Sequence, residues 1–246
     1  MNSILIIGMG FLGRPLAERA DQNAWRVRGV KRHQTSDDIC LPIEMDFVAL
    51  SPDFRQPEWA DYATWTILLP PTPLPQYVET IENIVQQAQQ FGVQHLIYAS
   101  SISVYGNAPR LCDEHSSLNP ETESAHQIIA AEQCCLNAKL PHLDILRFGG
   151  LYATERHPLR SLLKRPQIKG AAQPVNMVHR DQAVSALFQA ACTPNGTRIR
   201  NIVQAEHPSK REFYRREAKL LGLPEPDWDD NDTNPNGRII NTLYTA

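Results

Sequence analysis

The chain has no CxxC pair, and its five cysteines (Cys40, Cys112, Cys134, Cys135 and Cys192) are odd in number and scattered. That excludes a disulfide framework as the organising principle and gives no spaced tetrahedral metal set, so no metal is expected. The adjacent pair Cys134 and Cys135 forms no easy unstrained disulfide and reads as helix packing, with the thiols reduced and mostly buried. No long apolar run is present: "ILIIG" near the start is stopped at once by Gly8 and suits neither a signal core nor a membrane span. Neither sign of charge dominates, because 24 Lys and Arg stand against 27 Asp and Glu, a formal net charge of −3. Broad attraction to nucleic acid or anionic lipid is therefore not expected, which leaves small molecules or proteins as partners and the cytoplasm as the expected location.

Core-forming material is present. With 246 residues, 42% of them hydrophobic, the chain can bury a full core in one domain or one domain with a small lobe. Strand-like runs (3–8, 26–30, 41–46, 65–70, 95–100 and 143–148) alternate with helix candidates at 11–21, 75–91 and 120–138. Parallel neighbours need crossover connections, so this rhythm predicts an α/β fold, a doubly wound parallel sheet of the Rossmann type. After Phe148 the rhythm changes to helices at 158–165, 180–192 and 209–222 and a strand at 198–203. The expected organisation is a core over 1–149 with 178–192 packing back on it. Residues 150–177 and 193–246 form a small C-terminal lobe, in which the Asp- and Asn-rich stretch 223–237 is a surface loop.

"ILIIGMGFLGRPLAERA" sets Gly8, Gly10 and Gly13 in a GxGxxG pattern between a buried strand and an amphipathic helix. The first glycine permits a tight turn, the second lets backbone approach a diphosphate, and the third allows close helix–strand packing. Gly8, Gly10, Phe11, Leu12 and Gly13 are thus cofactor-binding candidates, with Leu69 and Pro70 where the fourth strand ends beside them. At the end of the second strand, where an acid would meet an adenosine ribose, the chain has Lys31 and Arg32. Cations there favour a 2′-phosphate, hence NADP with NAD as the alternative.

The glycine turn, "YASSISVYGN", "DEHSSLNPETES", "ILRFGGLYATERHP", "NMVHRDQAVSAL" and the strand–helix to Gly222, in this order, resemble the extended short-chain dehydrogenase/reductase superfamily, the NAD-dependent epimerase/dehydratase group. The resemblance implies an SSxxVYG serine, which falls on Ser101, and a YxxxK helix bearing the acid/base tyrosine and its lysine. Those two positions hold Ser124 and Ile128. An alkyl hydroxyl is too weak an acid to replace a tuned phenol, and isoleucine carries no charge. The chain therefore resembles atypical members that keep the cofactor site without the dyad.

His126 lies two residues from Ser124, about 200° around the helix, and faces away. Tyr105, Cys112, Asp113 and His115 follow in the loop, each more at home in packing or solvent than in catalysis, and His179 and Asp181 read as a helix cap. In "LLPPTPLP", Pro70, Pro71, Pro73 and Pro75 stiffen the segment beside the cofactor as a rigid linker or a substrate wall. Asn119 and Pro120 are expected to open the helix at 120–138. The stripe Tyr77, Ile81, Ile84, Val85 and Ala88 suggests a homodimer through the helices at 77–91 and 120–138. Two functions stay open: an NADP-dependent oxidoreductase-like enzyme with non-standard acid/base chemistry on a small molecule, or a dinucleotide-sensing protein that regulates a protein partner.

Overall fold

The computed structural model describes residues 2–72 and 74–243, so Pro73 lies outside the described residues, as does the side chain of Cys40. β1 (Ser3–Ile7) is buried along its whole length, as a central parallel strand covered on both faces must be. It leads through the glycine turn into α1 (Gly13–Gln22), then β2 (Arg26–Lys31), β3 (Glu44–Phe47), β4 (Thr64–Ile67), α2 (Tyr77–Gln90) and β5 (His95–Ser101). A two-residue β6 (Leu111–Cys112), α3 (Glu123–Asn137), β7 (His142–Phe148), β8 (Gly150–Tyr152) and a short α4 (Leu159–Leu162) follow. The chain continues with β9 (Met177–His179), α5 (Arg180–Cys192), β10 (Thr197–Ile202), α6 (Lys210–Leu221) and β11 (Ile239–Ile240).

Seven strands form one parallel sheet in the order β10-β7-β5-β4-β1-β2-β3. The order reverses between β1 and β4, which opens a crevice outside their carboxyl ends, where ligands of doubly wound sheets bind. Side chains alternate along the strands: Leu5, Trp65 and Leu96 pack under α2 and α3, whereas Ile4, Ile6 and Ile97 pack against α1 and α5. Tyr152, Leu159, Phe213, Tyr214 and Trp228 form a separate aromatic cluster below α4 and α6. Trp228 is buried, so the loop at 223–237 is anchored at its middle.

Two details differ from expectation. The strand expected in the smaller lobe is β10, which pairs with β7 from Thr197↔Leu143 to Ile202↔Phe148 as the edge of the main sheet. The helix expected from residue 120 starts at Glu123, because Thr122 is its cap and accepts the Ala125 N–H at 3.2 Å. Glu121 instead turns back to the Asn107 N–H at 2.8 Å.

The stripe on α2 is covered within the chain: Tyr77, Ile81, Ile84, Val85 and Ala88 are all buried. The apolar surplus that suggested a homodimer is absent. Cys112 and Cys135 are buried free thiols, Cys134 is half-buried and Cys192 exposed. Among the described residues no group of three His, Cys, Asp or Glu could hold a metal, and no helix is long and apolar enough to cross a membrane.

Two buried charge clusters tie the strands together. Asp144 on β7, fully buried, accepts from His95 Nε2 at 2.8 Å, Arg198 at 2.7 Å and Arg200 at 3.0 Å, linking β5, β7 and β10. Arg147, also on β7, makes a two-pronged pair with Glu132 of α3 at 2.7 and 2.9 Å.

Candidate functional site

The crevice is built around the glycine turn. Gly8 has φ +113°, and a side chain there would press on the Leu68 carbonyl oxygen at 2.8 Å, so the close approach of β1 and β4 depends on its being glycine. A Cβ on Gly13 would fall directly on the Gly8 carbonyl oxygen, which is how α1 packs against β1. Around Gly10 the space is open. α1 has no side-chain cap and no acid in its first turn, leaving its positive end to the crevice.

Two cavities meet at this turn. The smaller, about 220 Å³, is an apolar slot walled by Val30, Val48, Leu50 and Leu74, with Lys31 and Arg32 at its rim. The larger, about 590 Å³, runs past Phe11 and Leu12 to Ser100, Ser101, Ile128 and Phe148. Gly8, Gly10, Leu68, Leu69 and Pro70 line both, so the two form one groove across the switch point. Every cofactor-side residue expected from the sequence, except Gly13 packed behind the turn, lies on its wall.

The groove's side wall is braced. Tyr77 donates its hydroxyl hydrogen to the Leu69 carbonyl at 3.1 Å and is itself met by the Tyr98 hydroxyl at 2.8 Å. Burial pushes the Tyr77 phenol well above its ordinary range, so it stays neutral. Phe11 lies under two guanidiniums, Arg156 at 5.0 Å and Arg180 at 5.5 Å from its ring centre. Arg156 also lines the larger cavity and adds positive charge beside the turn.

Lys31 is engaged in a way the sequence did not reveal. Its ammonium bonds Thr35 Oγ1 at 2.8 Å and both Asp38 oxygens at 2.9 and 3.1 Å. Burial alone would raise the Asp38 carboxyl, but Lys31 and Thr35 outweigh it and hold the acid below its usual range. Arg32 is exposed beside it.

At the far end, Ser101 lines the larger cavity and accepts the Ser103 N–H at 3.1 Å. Ile128 is buried and forms wall, while Ser124, one turn earlier, is half-buried and lines none of the cavities. His126 is exposed, as its angle required. Tyr105 is buried, its hydroxyl accepting from Arg147 at 2.8 Å and donating to Asn201 at 2.9 Å. Neither it nor Cys112, Asp113 or His115 lines the cavities. His179 caps α5 by accepting the Asp181 N–H at 3.3 Å.

Ser100 and His157 are among the wall residues that were not anticipated. Ser100 donates to Glu132 at 2.5 Å, joining the wall to the Glu132–Arg147 pair. His157 accepts the Leu159 N–H on Nδ1 at 3.1 Å and sets Nε2 3.3 Å from Glu217. Burial lowers the His157 pKa against the pull of Glu217, and the ring stacks in the aromatic cluster. The signal for Glu132 and Arg147 was in the sequence as charges set among apolar residues, Glu132 alone in "IIAAEQCC" and Arg147 with Asp144 in "LDILRF".

This architecture recurs in solved structures. MoeE5 in complex with UDP-glucose and NAD superposes with a TM-score of 0.81 at 19% identity over 98% of this chain and 90% of that one. UDP-glucuronic acid 4-epimerase from Bacillus cereus, in complex with NAD, gives 0.78 at 16% identity over 98% and 89%. At such identities the likeness establishes the fold alone, an α/β parallel sheet of the Rossmann type. No protein-family model matches the chain. Protein YeeZ of Escherichia coli (strain K12) is 31% identical over 253 aligned residues, spanning 98% of this chain and 91% of the relative. With that identity over nearly both full lengths, the chain belongs to the same family as Protein YeeZ.

Proposed function

We propose that the groove binds NADP(H) and that the chain is an oxidoreductase-like protein of the epimerase/dehydratase type, acting on a small molecule with non-standard acid/base chemistry. One observation carries this reading: the glycine turn joins an apolar slot rimmed by Lys31 and Arg32 to a larger cavity ending at Ser101. The slot suits an adenine with cations for a 2′-phosphate, the uncapped start of α1 suits the diphosphate, and the larger cavity has room for the nicotinamide and a substrate. The NAD bound in MoeE5 and the Bacillus cereus epimerase supports a dinucleotide here. A bound nicotinamide supplies hydride transfer; what the chain supplies is position.

Ser101 is placed to polarise a carbonyl by donating its hydroxyl hydrogen. Ile128 puts an apolar wall where the related pattern has an ammonium. Losing a positioned acid or base typically forfeits ~10²–10⁴ in rate, so turnover needs another proton path. That same loss supports the second reading, a dinucleotide-responsive protein that regulates a protein partner.

Fluorescence titration with NADPH and NADH tests the binding, and equal affinities would remove the NADP preference. Turnover of NADPH against aldehydes, ketones and sugar nucleotides then separates enzyme from sensor, as does partner recovery that depends on NADP.

A further inference from the structure

A third cavity, about 560 Å³, opens on the far side of Ser101, which it shares with the larger arm of the groove together with Phe148 and Gly149. Its walls come from the loop after β5, from 173–177, from the start of α6 and from 236–238. Its lining contains two cations, Lys210 and Arg238, and no carboxylate.

Both cations are half-buried, and neither has a carboxylate within ion-pair distance among the described residues. Lys210 donates to the Gln173 side-chain oxygen at 2.9 Å. Arg238 spends Nη1 on the carbonyls of Ile102, at 3.0 Å, and Gly106. All three acceptors are neutral. Asp232 acts on Lys210, and Glu121 on Arg238, only through space. Burial lowers the pKa of both cations, the direction expected when charge leaves water without a counter-charge. Elsewhere the chain does pair its buried charges, as Asp144 and Glu132 show.

We infer that this cavity is an anion subsite: the ligand that reaches Ser101 carries a phosphoryl or carboxylate group that sits between Lys210 and Arg238. This rests on the proposed function, since it names the charge of the molecule whose reacting end would face the nicotinamide side. The Gln173 and Asn107 side chains, also on the wall, are neutral and add no repulsion to an anion.

Calorimetric titration of the full chain with inorganic phosphate, and separately with malonate, at low ionic strength tests the inference. The wild type should bind at least one of them saturably. Lys210→Met should weaken that binding about tenfold or more, the loss of one charge-assisted hydrogen bond, and Lys210→Arg should restore most of it. Arg238→Gln should weaken it too, with circular dichroism checking that the loop it braces has survived. Stronger phosphate binding would assign a phosphomonoester, stronger malonate binding a carboxylic acid. No binding of either anion, or binding that Lys210→Met leaves unchanged, would overturn the subsite. Phosphate held at the glycine turn or at Lys31 is insensitive to Lys210, so it cannot imitate the expected result. NADPH titrations on the same samples keep the two readings apart: NADPH binding without a Lys210-dependent anion site removes only the subsite, and the reverse removes only the dinucleotide.

Discussion

Single residues set how closely backbone can approach backbone at the turn. A methyl group on Gly13 would land on the Gly8 carbonyl, so Gly13→Ala must push α1 off β1. Overpacking of this kind costs ~1–3 kcal/mol, and the shifted turn should also lose NADPH; thermal unfolding and fluorescence titration read the two effects. At the slot's rim both cations can be tested. Arg32→Ala should lower NADPH affinity about tenfold, leaving NADH affinity unchanged. Lys31→Met should lower the Tm as well, because it strips the buried Asp38 carboxylate of its cation. If both variants weaken NADPH and NADH alike, the cations do not read the 2′-phosphate. The glycines and Lys31 were legible because their spacing follows a strand end. Asp38 was not, since its return to Lys31 depends on the turn of 3₁₀ helix after Thr35.

Among the elements, β7 carries two buried charges, Asp144 and Arg147, and this gives the sheet an acid-sensitive seam. Burial raises the Asp144 pKa, but His95 and Arg198 outweigh it, so the folded value lies below the ordinary one. A depressed folded pKa stabilises above the unfolded value, ~3.9, and the contribution is lost as pH falls through the folded one. Denaturant titrations from pH 7 downward should show stability falling below about pH 4, with a shallower fall and lower neutral stability in Asp144→Asn. An acid limb that Asp144→Asn leaves unaltered would place the seam elsewhere. The Glu132–Arg147 pair makes a second case. Removing one partner of such a pair costs ~3–5 kcal/mol, so Glu132→Gln should be severe and Glu132→Gln/Arg147→Met milder than the sum. Most strands and helices were readable from apolar periodicity. The edge position of β10 was not, because its exposed and half-buried residues read as a peripheral strand until Asp144 is seen to hold Arg198 and Arg200. The start of α3 was missed for a similar reason: Asn119 and Pro120 look like a helix opening, yet Thr122 takes the cap while Glu121 is drawn to Asn107.

For the whole molecule, the groove and the proton path are separate properties. The groove follows from topology, from the strand order reversing beside a glycine turn, whereas the proton path depends on which side chains α3 presents. Binding and turnover should therefore part: NADPH should bind saturably, while its oxidation across a carbonyl panel should be slowed by the ~10²–10⁴ that a missing acid or base forfeits. Brisk oxidation that persists in Ser124→Ala, with a bell-shaped pH profile, would show that another residue has taken over proton transfer. The parallel sheet and the glycine turn that lines the groove could be read from residue order because they need only local patterns. The acid-free cavity could not, because it brings together residues from 101 to 238 that no spacing connects.

That span has a consequence during synthesis. β11 pairs with β6, Arg238 grips the Ile102 and Gly106 carbonyls, and the Thr242 hydroxyl reaches Glu114. The loop behind Ser101 is thus fastened by residues synthesised well after β7. At ~5–20 residues per second, β7 waits on the order of ten seconds for that fastening, while the glycine turn and its slot are already assembled. A nascent chain should assemble the groove at its glycine turn before the loop behind Ser101 is closed, and trimming at residue 237 should leave a protein that keeps this groove beside a slack Ser101.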